Sequence, residues 1–186
     1  MFMKLLIHTC CADCFLNTIN FLKQKKLICN EDEIISYFFN PNIHPRSEYL
    51  ERLNALKNVV GEEKELNIKL VIPDYKPKKY ISAIRGHEEN ANLSRCKKCW
   101  KLRLEGSFKY AKEIEVSHIT TTLLTSHYQN NSDISQIANE LSMKYGIEFI
   151  KIDSTCNCKN HGFYKQNYCG CCFSLTEKML QYPHNE

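Results

Sequence analysis

The residues of this sequence whose type and spacing suggest chemistry are its cysteines. Eleven of them occur in 186 residues, and most stand in three clusters. The clusters are Cys10, Cys11 and Cys14, then Cys96 and Cys99, then Cys169, Cys171 and Cys172. Thiolates are soft metal ligands and redox-active groups, and clusters so far apart can meet only in a folded chain. The sequence therefore predicts a metal centre, a redox-active dithiol, or both.

The first cluster follows a short apolar run at residues 5–7, which predicts a buried strand. Adjacent side chains on a strand point to opposite faces, so Cys10 and Cys11 can face one site only from a loop. Two neighbouring thiolates fit two irons of an iron–sulfur cluster more easily than one zinc ion. Burial as small apolar residues is the alternative, because free cysteine is commonly buried.

The second cluster has the spacing Cys96-x-x-Cys99 and opens an amphipathic stretch. This spacing suits an iron–sulfur cluster, a zinc site or a thioredoxin-type dithiol, and N–H groups at a helix start would stabilise its thiolates. With Cys10 and Cys11, the pair supplies the four thiolates of one four-iron cluster. A zinc ribbon usually has its two cysteine pairs much closer together in sequence. The four cysteines together favour a metal site over simple burial, and Cys14 is close enough to bind a further metal.

The third cluster contains the segment Cys169-Gly170-Cys171. A disulfide across one residue closes a strained ring, and strain raises its reduction potential, so such a pair can cycle between thiol and disulfide. Gly170 has the backbone freedom that this turn requires. Two more metal ligands are the alternative. The roles of Cys156, Cys158 and Cys172 stay open at this point.

Composition indicates a single globular domain over residues 1–186, with 43% hydrophobic and 25% charged residues. The net charge of +4 permits an anionic partner such as RNA, although ordinary surface lysines explain it as well. No stretch approaches the roughly 20 apolar residues of a membrane span, and the first nine residues are too short and polar-ended for a signal peptide. We therefore expect a cytoplasmic monomer without membrane contact, in which clustered cysteines are ligands or redox thiols.

Strand and helix patterns alternate along nearly the whole chain. This alternation predicts a doubly wound α/β fold: a mainly parallel five-stranded sheet in three layers, Rossmann-like and adenine-nucleotide-hydrolase-like. Ligands of such sheets bind at the carboxyl ends of strands, where the first cysteine cluster and residues 40–42 and 125–127 all fall. Strands are predicted at residues 5–7, 34–39, 68–72, 117–124 and 148–152, and helices at 15–25, 47–60, 77–87, 96–115, 133–145 and near the C-terminus.

Five ordered segments carry a family resemblance. They are His-Thr-Cys-Cys-Ala at 8–12, Phe-Asn-Pro-Asn-Ile-His-Pro at 39–45, Arg-Cys-Lys-Lys-Cys-Trp-Lys-Leu-Arg-Leu at 95–104, Thr-Thr-Thr-Leu-Leu at 120–124, and Tyr-Lys-Gln-Asn-Tyr-Cys-Gly-Cys at 164–171. In this order the segments resemble the QueH-type epoxyqueuosine reductases over nearly the whole chain. The chain departs from the pattern in Cys172 and in a shorter segment at 153–164, which carries Cys156 and Cys158. The resemblance implies the last step of queuosine synthesis, in which epoxyqueuosine in the anticodon loop of tRNA is reduced to queuosine.

The resemblance also implies roles for individual residues. Cys10, Cys11, Cys96 and Cys99 would ligate a [4Fe-4S] cluster, and Cys169 and Cys171 would form a redox-active pair. A mononuclear iron can lie beside the cluster, with Cys14 as a candidate ligand. The partners implied are tRNA bearing epoxyqueuosine and an unidentified electron donor. Apart from the resemblance, Asp13, His8, Tyr168 and the cysteine thiols are candidates for the proton donor, and no spacing chooses among them. The candidates for substrate binding are Asn40, Asn42, His44, Gln166, Asn167 and Tyr168, with a turn-forming role as the alternative for the two loop asparagines.

Two other functions remain open at the level of sequence. One is another iron–sulfur tRNA-modifying enzyme of the thiolation type, but the phosphate-binding Ser-Gly-Gly-x-Asp-Ser loop expected after its first strand is replaced here by residues 10–14. The other is a zinc-stabilised RNA-binding domain. A tRNA-facing surface is only weakly indicated, since a solvated helix face has the same composition. Its candidate residues are Lys76, Lys78, Lys79, Arg85, Lys97, Lys98, Lys101 and Arg103, with Tyr75 and Tyr80 for base stacking.

Overall fold

The fold is a sheet of five parallel strands covered by helices, in a computed structural model that describes residues 2–89, 94–126, 129–152, 159–164 and 166–181. The strand order is β3-β2-β1-β4-β5, and each neighbouring pair is parallel. The predicted doubly wound, three-layer α/β fold is thereby confirmed. The strands are β1 (Lys4–His8), β2 (Glu33–Tyr37), β3 (Asn67–Val71), β4 (His118–Thr121) and β5 (Glu148–Phe149). The helices are α1 (Ala12–Gln24), α2 (Arg46–Glu62), α3 (Pro77–Ile84), α4 (Cys96–Glu113), α5 (Asn131–Tyr145) and α6 (Cys172–Met179).

Strand β1 lies at the centre of the sheet, and its position fixes where a ligand can bind. Leu5, Leu6 and Ile7 are fully buried, as expected for a parallel strand with both faces covered. The chain runs outward from β1 to β2 and β3, and then returns to place β4 on the other side of β1. This reversal opens a crevice beyond the carboxyl ends of β1 and β4, the usual ligand site of such folds. Cys10 and Thr122 follow these two strand ends.

Five predicted element boundaries are wrong by two or three residues. β4 ends at Thr121, and Thr122–Thr125 form a 3₁₀ turn instead of continuing the strand, because the Thr121 hydroxyl accepts a hydrogen bond from Leu123 N and caps the turn. β2 ends at Tyr37, β5 has only two residues, and α3 ends at Ile84. Helix α1 begins at Ala12, earlier than predicted, so Cys11 caps the helix and Cys14 lies in its first turn.

Helix α4 is the element that carries the second cysteine cluster against the sheet. Its buried residues include Trp100, Leu104, Phe108 and Ala111, which are the residues whose spacing predicted the helix. Gly106 allows close packing, because a Cβ at this position would lie 2.8 Å from Cδ1 of the Phe39 ring. Among the described residues, no helix is both long and apolar enough to cross a membrane.

Candidate metal and thiol site

The three sulfurs of the first cluster lie together. The Sγ atoms of Cys10, Cys11 and Cys14 are all within 4.8 Å of one another, and those of Cys10 and Cys11 are 3.8 Å apart. A tetrahedral ion with metal–sulfur bonds of about 2.3 Å would hold its sulfurs about 3.8 Å apart. The loop before α1 therefore turns both adjacent thiols to one side, and the three cysteines could hold a metal.

The second and third clusters meet in a neighbouring cavity of about 120 Å³, which Cys96, Cys99, Cys169 and Cys171 line. The sulfurs of Cys169 and Cys171 are 3.6 Å apart, and Cys171 caps helix α6 by accepting a hydrogen bond from Ser174 N. Cys99 and Cys171 are buried in a small apolar cluster with Tyr80 and Ile84. The geometry thus brings the predicted dithiol beside the Cys96-x-x-Cys99 pair.

The two thiol sites share a wall. A cavity of about 170 Å³ is lined by Cys10, Cys11, Cys14 and Cys169, so the Cys169 residue borders both cavities. Cys171, by contrast, lines only the second of them. The ligand set of Cys10, Cys11, Cys96 and Cys99 stays a prediction, as does the redox role of Cys169 and Cys171. Other residues that line both cavities are Arg103, Gln129 and Tyr168.

Each close set of thiols contains one acidic member. The pKa of Cys10 is held well below its ordinary value by hydrogen bonds from Cys11 and Cys14, while the bond to Cys10 helps raise the pKa of Cys11 to about 12. In the same way, the hydrogen bond from Cys171 lowers the pKa of Cys169 to about 6, and the pKa of Cys171 is raised. Negative charge is thus stabilised on Cys10 and Cys169, the acidic member of each set.

Burial has the opposite effect on the second cluster. Loss of hydration raises the pKa of Cys96 to about 11 and that of Cys99 to about 12, although the positive charge of Arg103 opposes the shift at Cys99. Protonated thiols at these positions bind metal only by releasing protons. Metal binding at Cys96 and Cys99 would therefore be coupled to proton release.

Two arginines that the sequence analysis did not assign to the site border the thiols. Arg103 was a candidate for a tRNA-facing surface, and that assignment is wrong, because the residue is 3% exposed and donates to Asn40 Oδ1 at 2.7 Å. Tyr80 is also buried, under the face of α3 that packs on α4, and so is not free to stack on a base. Arg52 of α2 pairs with Glu48 and donates to Gln166 Oε1 at 3.1 Å.

The candidate substrate residues in the loop after β2 also hold the site together. Asn40 is buried, and its amide donates to Thr9 O at 2.8 Å while its oxygen binds Arg103. His44 N donates to Gly170 O at 2.7 Å, and the Tyr168 hydroxyl donates to His44 O at 3.1 Å. The Cys169-Gly170-Cys171 turn is therefore fixed to this loop by backbone contacts.

The other substrate candidates line the two cavities. Gln166 and Tyr168 border the first cavity, while Asn42 and Asn167 border the second, where Tyr168 also lies. The side-chain oxygen of Asn42, Oδ1, is buried without a hydrogen-bond partner among the described residues. Contacts with substrate stay predictions for all of these residues and for His44.

Asp13 lies at the first cavity and helps to fix a segment that covers it. Its Oδ1 accepts a hydrogen bond from His161 N at 2.9 Å, and Asn17 exchanges hydrogen bonds with both the N–H and the carbonyl of Lys159. Phe163 and Tyr164 follow this attachment and line the cavity. Asn17 is not among the residues singled out from the sequence, because its burial cannot be read from the sequence. The role of Asp13 as proton donor stays a prediction.

His8 precedes the first cluster, and three cysteines stand outside the clusters in sequence. His8 is buried between Thr121 Oγ1 and Phe39 O, and burial lowers its pKa to about 3, so it is a neutral structural ring. Cys29 is exposed in the loop before β2. Cys156 and Cys158 lie outside the described residues.

Comparison with known proteins agrees with these observations. A family model described as "Epoxyqueuosine reductase QueH" matches residues 5–177. A Helicobacter pylori protein of that name is 34% identical over 186 residues, which are 92% of this chain and 49% of the relative, so the chain spans about half of that protein's length. A relative of the same name from Thermotoga maritima is 31% identical, over 93% of this chain and 91% of its own. A relative of the same name from Staphylococcus epidermidis is 28% identical, over 96% of this chain and 79% of its own. The chain belongs to the QueH family of epoxyqueuosine reductases.

Proposed function

We propose that this chain reduces the epoxide of epoxyqueuosine in tRNA and so forms queuosine. The observation that carries the proposal is the position of Cys169, which lines the cavity of Cys10, Cys11 and Cys14 while its sulfur lies 3.6 Å from that of Cys171 in the neighbouring cavity. A two-electron reductant thus borders a candidate metal site in one crevice, at the switch point of an α/β sheet. The family of the chain supports the same reaction.

The reaction balances with the groups in the crevice. Both carbon–oxygen bonds of the epoxide break, a carbon–carbon double bond forms, and the oxygen leaves as water after taking up two electrons and two protons. Oxidation of the Cys169 and Cys171 thiols to a disulfide releases two electrons and two protons. An external electron donor, whose identity is open, then reduces the disulfide for the next turnover.

The donor set fits the predicted metals by its chemistry. Cys10 and Cys11 face one side of their loop, Cys14 joins them, and Arg52 and Arg103 supply positive charge beside buried thiolates. We propose that Cys10, Cys11, Cys96 and Cys99 hold a [4Fe-4S] cluster, with Cys14 available to an adjacent mononuclear iron. Such a centre, when bound, supplies single electrons and Lewis acidity toward an oxygen atom.

The chain's own residues bind and orient the base and move protons. Gln166 and Tyr168 line the first cavity, and Asn42 offers a buried amide oxygen at the second. Asp13 borders the first cavity, where it can protonate the departing oxygen. The partner is tRNA bearing epoxyqueuosine, and we propose that the protein acts as a monomer in the cytoplasm.

The test combines anaerobic purification, iron and sulfide counts, and an assay on tRNA bearing epoxyqueuosine. Cys169→Ser and Cys171→Ser should abolish turnover of the tRNA base. Both variants should keep the brown colour of the iron–sulfur cluster, because only the dithiol is lost. The matched control is Cys29→Ser, since Cys29 is exposed and remote from both cavities. Bleaching by either serine variant would make these residues ligands, and retained turnover would remove their redox role. A colourless wild type that holds zinc would favour the RNA-binding domain instead.

A further inference from the structure

Arg103 is a buried cation, and no carboxylate of the described residues pairs with it. Its guanidinium donates to the neutral Asn40 side chain, and its Nε has no hydrogen-bond partner among the described residues. A guanidinium removed from water is strongly disfavoured unless negative charge faces it. We therefore expect an anion other than an Asp or Glu carboxylate to face the Arg103 guanidinium.

The other two largely buried arginines each have a carboxylate partner. Arg52 pairs with Glu48, and both side chains are mostly covered. Arg95 pairs with Glu177 at 2.6 Å. Arg103 instead borders both cavities, between the cysteine clusters. The carboxylates of Asp13, Glu51 and Glu177 line the same cavities, but among the described residues none of them forms an ion pair with Arg103, and Glu177 is paired with Arg95. The thiolates, and whatever they bind, are the other anionic groups at these cavities.

The guanidinium borders all three clusters. Arg103 lines the first cavity with Cys10 and Cys169 and the second with Cys96, Cys99 and Cys171. Three or four thiolates on a divalent ion, or on an iron–sulfur cluster, leave a net negative charge. In a buried crevice a fixed cation stabilises that charge strongly, because a protein interior screens charge less than bulk water does.

We propose that Arg103 is the fixed counter-cation of the metal–thiolate centre, a positioning residue whose charge the centre requires in order to bind. The inference rests on the proposed function only in taking the cysteines to be metal ligands. It sets Arg103 apart from residues that contact tRNA. Residues that support a metal's ligands typically change metal affinity by roughly 10–100-fold when mutated.

The test is an anaerobic titration of the full chain with Co²⁺ alone, followed through thiolate-to-cobalt absorption. Arg103→Met should weaken Co²⁺ binding by roughly 10–100-fold, since the side chain keeps much of its bulk and loses its charge. Arg103→Lys keeps the charge and should retain most of the affinity. Lys101→Met is the matched control, because it removes a positive charge from an exposed position of the same helix and should leave the affinity for Co²⁺ unchanged.

Several outcomes would overturn the inference. If Arg103→Met and Arg103→Lys weaken Co²⁺ binding equally, the shape of the Arg103 side chain matters and its charge does not. Unchanged Co²⁺ affinity in Arg103→Met with loss of tRNA binding would make the residue a phosphate contact. If the methionine variant fails to fold, Arg103→Gln against Arg103→Lys gives the same comparison of charge. A wild type that binds neither Co²⁺ nor iron would instead refute the proposed metal centre itself.

Discussion

Gly106→Ala should test how tightly α4 packs on the loop that carries Asn40. The new methyl group would meet the buried ring of Phe39, 2.8 Å from Cδ1 and nearer still to Cε1. Overpacking of this kind costs about 1–3 kcal/mol, while replacing a helical glycine by alanine returns about 1 kcal/mol. The ring must move, and with it the neighbouring Asn40, which binds Arg103.

Gly61→Ala is the matched control for this change. Gly61 also lies in a helix, α2, and a Cβ there would meet nothing within 4 Å. It should therefore stabilise the fold by about 0.5–1 kcal/mol, so the two variants should differ by about 1–3 kcal/mol in urea denaturation of the metal-free protein. A Gly106→Ala protein as stable as Gly61→Ala would refute the packing argument. A loss of Co²⁺ affinity in Gly106→Ala alone would locate the displacement at Arg103.

Two further predictions concern a turn and a buried acid. Gly170→Ala should slow disulfide formation between Cys169 and Cys171 and lower the melting temperature more than Gly162→Ala does. Both glycines have positive φ, of 103° and 83°, but only Gly170 has a side chain, that of Arg52, 3.2 Å from the new methyl group. Asp32→Asn should cost about 1 kcal/mol at pH 7, since hydrogen bonds from Cys29 N and Met3 N outweigh burial and lower the pKa of Asp32. That contribution is present above the unfolded pKa of about 3.9 and is lost as the pH falls through the lower folded value, so wild type and variant should converge in acid denaturation.

The fold could be predicted because its signals are local. Alternating strands and helices need only the apolar run 5–7 and the spacing of residues such as Trp100 and Phe108. The end of β4 could not be predicted, because the residues after Thr121 are as β-branched and apolar as the strand itself. What ends the strand is one hydroxyl, that of Thr121, which caps a 3₁₀ turn. The choice between these two states depends on packing that no sequence window contains.

The site was predicted where residue type is rare and missed where it is common. Clustered cysteines are informative in any context, and the structure brings Cys10, Cys11 and Cys14 together. Arg103 lies among lysines and arginines on an amphipathic helix, where an exposed position is the ordinary expectation. Its burial depends on Asn40, which is remote in sequence and reaches it from the loop after β2. The residues around Arg103 in sequence carry no pattern that indicates a contact with a distant segment, so its burial could not be predicted.

The remote segments of the site are tied to one another by hydrogen bonds that need no metal. Asn40 links the carbonyl of Thr9, just before the first cysteine cluster, to Arg103 on α4. His44 in the same loop holds Gly170 between the two thiols of the third cluster. This loop therefore contacts all three cysteine-bearing segments and helps to bring the clusters to the crevice. Because burial raises the pKa of Cys96 and of Cys99, metal binding at these two residues would have to release their protons.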